Sequence, residues 1–201
     1  MSLTKSLTVF LLEFLETAAL ALLFFALMYL VAFQPHQVKG NSMLPNFIDG
    51  EYLLTNKLTY RFGEPQQGDV VIFKAPDNPE YEYIKRIIGL PGDSIKLDQG
   101  KFLINQKPID ESVYLPITTQ TRPGNYLRAG KEVIVPPNTY FVSGDNRSNS
   151  SDSRDFGPVP VKNIVGKAWF MYWPPAKLGL VHHDRYSFGP ASGFNVSPTT
   201  P

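Results

Sequence analysis

Two residues in separate segments of this chain have the chemistry of a nucleophile and its base. Ser42 lies in the segment GNSMLP (40–45), and Lys85 lies in YIKRIIG (83–89). No Gly-x-Ser-x-Gly motif surrounds Ser42, and no His-Glu-x-x-His zinc motif is present. A serine hydrolase without a suitable histidine needs another base, and lysine is one known solution. The pattern therefore favours a serine nucleophile with an amine base.

Lys85 can act as a base near neutral pH only if its pKa is lowered. With an ordinary pKa of about 10.4, only about 4 in 10⁴ lysines are neutral at pH 7. Burial lowers a lysine pKa because it penalises the charged form, and Lys85 lies in an apolar, β-prone run. Alternation along that run predicts that Lys85 and Arg86 face opposite sides of a strand. The alternative, judged from this strand alone, is an ordinary solvated lysine.

A third polar segment, SGDNRSNSSDSRD (143–155), contains several carboxylates and hydroxyls. It does not match a calcium-binding EF-hand loop, because Ser150 occupies the position that requires glycine. Taken alone, the segment is also compatible with a polar turn held by local hydrogen bonds. We expect neither a metal ion nor a cofactor in this protein.

The N-terminal segment is apolar enough to position such a site at a membrane. The stretch from Thr17 to Phe33 carries no charge and would span roughly 26 Å as a helix, close to one hydrocarbon core. We predict a transmembrane helix over about 7–33 within a membrane anchor of residues 1–35. A cleavable signal peptide is the alternative, but the apolar stretch is longer than such peptides use. Lys5 and Lys39 alone do not determine the orientation.

The rest of the chain is typical of a mainly β protein built from antiparallel sheet. Short β-prone runs alternate with proline and glycine, all of which follow residue 34. We predict a catalytic domain over 36–176, with a small inserted β lobe at about 94–137, and a flexible C-terminal tail over 177–201. The predicted strands are Tyr52–Thr55, Asp69–Phe73, Tyr83–Ile88, Ser94–Leu97, Lys101–Ile104, Glu132–Val135, Tyr140–Val142 and Gly166–Tyr172.

Composition excludes several other functions. The net charge is +1, so a broad electrostatic attraction to nucleic acid is not expected. The chain has no cysteine, which rules out disulfides and thiolate metal sites.

The segments occur in an order that is similar to one family. The chain resembles bacterial type I signal peptidase from about residue 7 to residue 174, on the strength of Gly-x-Ser-Met-x-Pro, Tyr-Ile-Lys-Arg-x-x-Gly-x-Pro-Gly-Asp and Ser-Gly-Asp-Asn-x-x-x-Ser-x-Asp-Ser-Arg. The resemblance implies a membrane-anchored serine endopeptidase with a Ser/Lys dyad. Such enzymes cleave N-terminal signal peptides from exported preproteins after small residues (Ala-x-Ala), through an acyl-enzyme.

The resemblance also implies a role for individual residues. Ser42 is the expected nucleophile and Lys85 the general base. Ser150 matches a serine whose hydroxyl orients the lysine amine. Two charge pairs are expected to support the site, Arg86 with Asp145 and Asp152 with Arg154.

The oxyanion site and the substrate pockets follow from the same resemblance. Gly40 stands where some family members carry a serine that helps stabilise the oxyanion. The Ser42 backbone N–H is one candidate donor, and the second donor is expected to come from the Gly40 backbone, from water or from another residue. The substrate is expected to add as a strand beside the Tyr83–Ile84 edge. The pocket residues implied by the resemblance are Val38, Met43, Phe47, Tyr83 and Ile84.

The implied location is the bacterial cytoplasmic (inner) membrane, spanned once, with the catalytic domain on the extracytoplasmic side. The expected partners are the signal peptides of preproteins, the lipid bilayer and the protein-export machinery, but not nucleic acid. The aromatic run 169–173 is expected either to touch lipid or to pack in the core. Two alternatives remain open: an autocleaving Ser/Lys peptidase, and a membrane-tethered β domain that binds peptides without cleaving them.

Overall fold

A long N-terminal helix precedes a β-rich body. The structure is a computed structural model that describes residues 3–188, with side chains from residue 7 onward. Helix α1 (Leu3–Ala32) contains an apolar stretch, Leu7–Ala32, that is not buried against the rest of the chain except at Ala32. At 26 residues this stretch spans about 39 Å, so it is long enough to cross a hydrocarbon core of about 30 Å.

The helix ends one residue earlier than the sequence predicts. Phe33 begins the first strand and pairs with Asn56. The nearby Pro35 disfavours a helical conformation at the preceding residue and lacks an N–H, which explains the change to extended backbone and its position in an edge strand.

Within residues 3–188, thirteen strands and two further short α-helices follow α1. The short helices are α2 (Thr59–Phe62) and α3 (Ser153–Phe156). The strands are β1 (Phe33–Gln37), β2 (Tyr52–Asn56), β3 (Val70–Lys74), β4 (Glu82–Gly89), β5 (Ser94–Asp98), β6 (Lys101–Ile104), β7 (Lys107–Asp110), β8 (Glu132–Ile134), β9 (Thr139–Ser143), β10 (Val159–Pro160), β11 (Ile164–Trp173), β12 (Gly179–Leu180) and β13 (Ser187–Phe188).

The strands form two antiparallel sheets, which confirms the predicted fold class. The larger sheet has the order β1-β2-β11-β3-β4-β9-β10, and β12 pairs with β11. The smaller sheet has the order β13-β7-β6-β5-β8. Each of the eight predicted runs overlaps a strand. The strands that were missed are β1, which follows the apolar helix without a break, and four short ones, β7, β10, β12 and β13.

The smaller sheet is continuous with the core of the larger one. Its hairpin between β6 and β7 turns at Asn105 and Gln106, both with positive φ, as a two-residue hairpin turn requires. Buried residues of this sheet such as Phe102 pack against Ile88 and Phe141 of the larger sheet. The turn after β4 is therefore fixed from both sides, which restrains the strand that carries Lys85.

The prediction of a flexible tail over 177–201 is wrong for residues 179–188, whereas residues 189–201 lie outside the described part of the chain. The segment crosses from one sheet to the other, because β12 pairs with β11 and β13 pairs with β7. Tyr186 is buried and donates its hydroxyl proton to the Ile87 carbonyl at 2.9 Å. Val70 donates its N–H to His183 Nδ1 at 3.1 Å. These tertiary contacts outweigh a polar, turn-rich local sequence.

Candidate active site

Ser42 lies in a turn that a second loop holds from behind. The turn is closed by the Leu44 N–H bonding to the Asn41 carbonyl and the Phe47 N–H bonding to the Met43 carbonyl. Asn146 donates its N–H to the Ser42 carbonyl at 3.0 Å and its side-chain amide to the Asn41 carbonyl at 2.9 Å. The polar segment identified in the sequence therefore fixes the backbone on which Ser42 stands.

Lys85 meets Ser42 at the mouth of a cleft. Lys85 Nζ lies 2.6 Å from Ser42 Oγ and also donates to the Ile84 carbonyl at 2.9 Å. The Lys85 residue is only 3% exposed, and its register partner on β3 is Val71. Within residues 7–188, no carboxylate forms an ion pair with Nζ. A buried ammonium without a counter-ion is destabilised relative to the neutral amine.

The pKa of Lys85 falls accordingly. Burial is the main cause and lowers the pKa to about 8, while the nearby charges of Asp152 and Asp145 raise it in the opposite direction. At a pKa of about 8, roughly a tenth of the lysines are neutral at pH 7, instead of about 4 in 10⁴. The neutral amine can accept the Ser42 hydroxyl proton across the same 2.6 Å contact.

Arg86 occupies the opposite face of β4 and is fully paired. Its Nε and Nη2 donate to the two carboxylate oxygens of Asp145, each at 2.9 Å, and Nη1 donates to the Gly68 carbonyl at 3.1 Å. The guanidinium also stacks on the Tyr114 ring at 4.0 Å. Asp145 in turn accepts a hydrogen bond from Asn46, which lies in the Ser42 turn. This pair therefore ties β4 to both loops of the site.

The second expected pair, Asp152 with Arg154, is also formed and fully buried. The Arg154 Nε lies 2.8 Å and Nη2 2.6 Å from the Asp152 carboxylate, which further accepts the Gly144 N–H at 2.9 Å. Burial raises the pKa of Asp152, but Arg154 and the N–H donors outweigh it and hold the pKa below its usual range.

A third buried pair, Arg147 with Glu111, was not recognised in the sequence. Arg147 Nη1 donates to Glu111 Oε2 at 2.8 Å, and the two residues join the polar segment to the smaller sheet. The proximity of Glu111 to residue 147 depends on the tertiary fold, so no local sequence signal identifies it.

Ser150 does not make the contact that the resemblance implies. Its hydroxyl is buried but has no hydrogen-bond partner among the described residues, and Lys85 bonds to Ser42 and Ile84 instead. Ser150 lies against Gly144, where an added Cβ would be 2.3 Å from the Ser150 hydroxyl and 2.4 Å from the Ser42 carbonyl. Gly144 therefore allows Ser150 to lie beside the Ser42 turn.

A cleft of about 220 Å³ extends from Ser42 and Lys85 between β1 and β4. Three of the five residues expected at the substrate pockets line this cleft: Val38, Tyr83 and Ile84. Leu53 and Ile72 also line it and were not identified in the sequence.

Met43 and Phe47 are not part of the cleft. Met43 is completely buried, and its sulfur accepts the Asp145 N–H at 3.4 Å. Phe47 is buried in the same apolar cluster and lines a separate cavity next to Arg86. Their positions in the core correct the expectation that both residues line the substrate pockets.

The backbone donors for an oxyanion differ from the expectation at Gly40. The Gly40 N–H already donates to Asp49 Oδ1 at 2.7 Å, and its φ of +81° lies in the region that favours glycine. In contrast, the Ser42 N–H has no acceptor within the described part of the chain. Of the two expected backbone donors, only that of Ser42 is free for an oxyanion.

Comparison with known proteins gives consistent matches. The family model described as "Signal peptidase, peptidase S26" matches residues 11–173. Signal peptidase I of Bacillus caldolyticus is 38% identical over 155 residues, covering 74% of this chain and 84% of that protein. Signal peptidase IB of Staphylococcus aureus (strain MRSA252) is 33% identical over 196 residues, covering 92% and 98%.

A plant relative and a solved structure are also similar. Thylakoidal processing peptidase 1, chloroplastic, of Arabidopsis thaliana is 36% identical over 164 residues, which cover 76% of this chain. The chain spans less than half of that protein, 46% of its length. The crystal structure of a signal peptidase I from Enterococcus faecalis V583 matches with a TM-score of 0.43 and 28% identity, over 52% of this chain and 97% of that chain. By its family-model match and its identity to these relatives, the chain belongs to the signal peptidase family, peptidase S26.

Proposed function

We propose that this protein is a membrane-anchored serine endopeptidase that removes signal peptides from preproteins, using Ser42 and Lys85 as its catalytic dyad. The single observation that carries this proposal is the 2.6 Å contact between Lys85 Nζ and Ser42 Oγ, at a lysine that is buried and has no carboxylate partner. Membership of the signal peptidase family supports the same reaction class.

The catalytic cycle follows from this contact. Neutral Lys85 takes the Ser42 hydroxyl proton as Ser42 Oγ attacks the scissile carbonyl, and the resulting ammonium protonates the leaving amine. The acyl-enzyme on Ser42 is then hydrolysed by a water that Lys85 deprotonates. The free Ser42 N–H is the backbone donor that we assign to the oxyanion.

Substrate binding as an added strand is supported by the two strand edges, of β1 and β4, that border the cleft. Val38 exchanges backbone hydrogen bonds with Glu51 and Gly50, so the backbone groups of the adjacent Gln37 and Lys39 point to the cleft. On β4, the bond between Ala75 N–H and the Tyr81 carbonyl fixes the register, so the groups of Glu82 and Ile84 point to the cleft. An extended peptide between β1 and β4 therefore meets backbone donors and acceptors on both sides, although the Ile84 carbonyl also accepts from Lys85 Nζ.

The apolar floor of the cleft supports a preference for small residues before the cut. Val38, Leu53 and Ile72 are buried and leave a shallow, apolar space in front of Ser42. The proposed specificity is therefore Ala-x-Ala, with the alternate side chains of the peptide pointing to this floor.

The long helix α1 supports action at a membrane. Signal peptides are themselves membrane-embedded, so a tether raises the effective concentration of enzyme and cut site. We propose a single span with the catalytic domain on the extracytoplasmic side. The exposed Trp169, which stacks on Phe33 at 4.8 Å, lies near the end of the helix and suits a lipid interface.

The test is cleavage of a preprotein with an Ala-x-Ala site by the full-length protein in detergent, beside Ser42→Ala and Lys85→Ala. Wild type is expected to cut after the second alanine, and each variant to lose at least about 10²–10⁴-fold in rate. Circular dichroism controls for folding. Retained cleavage in a folded Lys85→Ala variant would contradict the dyad. A folded wild type that binds the preprotein without cutting it would favour the peptide-binding alternative.

A further inference from the structure

The backbone of Ser150 is held by an arginine that belongs neither to the dyad nor to the buried charge pairs. This residue, Arg122, lies in the connection between β7 and β8. Its Nη2 donates to the Ser150 carbonyl at 2.9 Å and to Asp155 Oδ2 at 2.9 Å. Nη1 donates to the Pro123 carbonyl at 3.1 Å, so both ends of the guanidinium have partners. A second donor to the Ser150 carbonyl, Arg154 Nη2, is farther away at 3.5 Å.

The chain around Arg122 is anchored without its side chain. Tyr126 and Leu127 donate their N–H groups to the Arg154 carbonyl at 2.8 and 2.9 Å, respectively. Arg154 Nη1 in turn donates to the Arg122 carbonyl at 3.0 Å. Gly124 lies so close to Arg154 that an added Cβ would be 2.2 Å from the Arg154 carbonyl oxygen. Removing the Arg122 side chain therefore leaves this connection in place and removes only the contacts of the guanidinium.

The Ser150 hydroxyl and the Lys85 amine both have unused hydrogen-bonding capacity. Within residues 7–188, Ser150 Oγ is the one buried side-chain polar atom without a hydrogen-bond partner. In the same part of the chain, Lys85 Nζ bonds to Ser42 and Ile84, so a protonated amine has one further N–H to donate. The neighbouring Ser151 lines the cleft together with Lys85. The position of this loop therefore determines both the reach of Ser150 and the burial of Lys85.

The loop of residues 148–151 has few other backbone restraints. On one side, the Asn149 N–H bonds to the Asn146 carbonyl at 3.0 Å. On the other side, Asp152 is fixed by Arg154. Between these two points, the bond from Arg122 is the shorter of the two hydrogen bonds to the Ser150 carbonyl.

We propose that Arg122 is a positioning residue for the dyad, because it holds the Ser150 carbonyl and so keeps the loop of residues 148–151 beside Ser42 and Lys85. This inference rests on the proposed function. Without the contact, the loop moves away from Lys85 and water reaches the amine. Burial is the main cause of the low pKa of Lys85, so this pKa then rises toward its ordinary value.

The experiment measures kcat/KM of the full-length protein in detergent from about pH 6 to 10, on the Ala-x-Ala preprotein. Arg122→Ala is expected to lower kcat/KM at pH 7 by about 10–100-fold, the cost of a small misplacement in an active site. It is also expected to shift to higher pH the acid limb, in which kcat/KM falls as Lys85 becomes protonated. Arg122→Lys keeps the charge and a donor, and is expected to recover part of both. Arg128→Ala, at an exposed arginine in the same connection, is the matched control and is expected to behave like wild type.

High salt separates the position of the loop from the charge of Arg122. In about 1 M salt the Debye length is about 3 Å, so the loss of an exposed charge has little effect on Lys85. The shift of the acid limb in Arg122→Ala is expected to persist there, and its disappearance would overturn the inference. Circular dichroism measures the folded fraction. An activity loss with an unchanged acid limb, or activity equal to that of Arg128→Ala, would also overturn the inference.

Hydrogen exchange separates failure of this inference from failure of the proposed function. Amide exchange at residues 148–152 is measured with Ser42→Ala and with Ser42→Ala/Arg122→Ala, neither of which depends on turnover. Faster exchange in the second variant supports the restraint by Arg122 even if wild type cleaves nothing, a result that overturns the proposed function alone. Equal exchange in the two variants overturns the inference.

Discussion

The two faces of β4 shift the pKa values of two neighbouring cationic side chains, Lys85 and Arg86, in opposite directions. Lys85 is 3% exposed and Arg86 is 2% exposed, so burial alone does not distinguish them. Lys85 has a serine hydroxyl and a carbonyl as partners, and burial lowers its pKa to about 8. Arg86 has both oxygens of Asp145, and this pairing raises its pKa despite the same burial. One face therefore carries an amine that can lose its proton near pH 8, and the other carries a permanent positive charge that fixes the loops.

The difference shows that the counter-ion, rather than depth, decides which buried cation can exchange a proton. Asp145 and Asp152 are both close enough to raise the pKa of Lys85, but neither forms an ion pair with it, because each is already bound to an arginine. The two arginines thus occupy the carboxylates that would otherwise hold Lys85 in its charged form.

Breaking the paired face should cause the largest loss of stability. Asp145→Asn leaves Arg86 buried without a counter-ion and is expected to lower the free energy of unfolding by about 3–5 kcal/mol. Denaturant unfolding of the full chain in detergent measures it. Asp155→Asn is the matched control, because its partner Arg122 is 41% exposed, and a change below about 1 kcal/mol is expected there. Equal losses in the two variants would contradict the importance of burial.

Removing Lys85, the cation without a counter-ion, should raise the free energy of unfolding. The pKa of Lys85 falls from 10.5 to about 8 on folding, so burying its charge costs about 3 kcal/mol below pH 8. Lys85→Met is therefore expected to raise the free energy of unfolding by up to about 3 kcal/mol at pH 7. Between pH 8 and 10.5 the unfolded chain holds the proton and the folded chain does not, so the difference between variant and wild type shrinks to under about 1 kcal/mol at pH 10. If Lys85→Met is less stable than wild type at pH 7, burying the Lys85 ammonium does not carry the expected cost.

The same asymmetry predicts the pH dependence of activity. In the proposed mechanism the active form contains neutral Lys85, which is lost as the pH falls through about 8. We expect kcat/KM to fall about tenfold per pH unit below that value, about 100-fold between the plateau and pH 6. Arg86 stays charged throughout this range, so it adds no second transition to the pH profile of kcat/KM. A profile that is flat from about pH 6 to 10 would exclude a titrating lysine base.

The smallest expected effect concerns the support that β4 receives from the C-terminal segment. Tyr186→Phe removes the hydroxyl that bonds to the Ile87 carbonyl, which then keeps only the Gly68 N–H as a donor. The free energy of unfolding should fall by about 1 kcal/mol. Tyr81→Phe, at an exposed tyrosine, is the control and should be neutral. No change in Tyr186→Phe would mean that this contact does not stabilise the strand.

Strand positions were predictable wherever a β-prone run was bounded by turn residues. Lys101–Ile104 was predicted with its observed bounds, and the Asn105-Gln106 turn was expected from its residue types. The C-terminal segment was not predictable in the same way. Its order comes from contacts such as that of His183 with Val70, more than a hundred residues away in the chain.

In the candidate site, too, features carried by local motifs were predictable and features set by tertiary contacts were not. Ser42, Lys85 and the two arginine–carboxylate pairs were identified from motifs, since each motif is local and its order along the chain is specific. The positions of Met43 and Phe47 in the core were not, because alternation and composition do not distinguish an apolar pocket wall from a core residue. The hydrogen bond from Gly40 to Asp49 and the lack of one between Ser150 and Lys85 likewise depend on the tertiary structure, so the local motifs did not predict them.

The sequence by itself determined the family resemblance, the apolar helix, the mainly β class and the residue types of the dyad, because these depend on local composition, period and order. Only the tertiary structure decided which cation on β4 is unpaired, which apolar residues line the cleft, and that Arg122 bonds to the Ser150 carbonyl. The physical reason is that burial and ion pairing depend on contacts between distant segments. Those contacts lower the pKa of Lys85 to about 8, as the proposed role of a base requires.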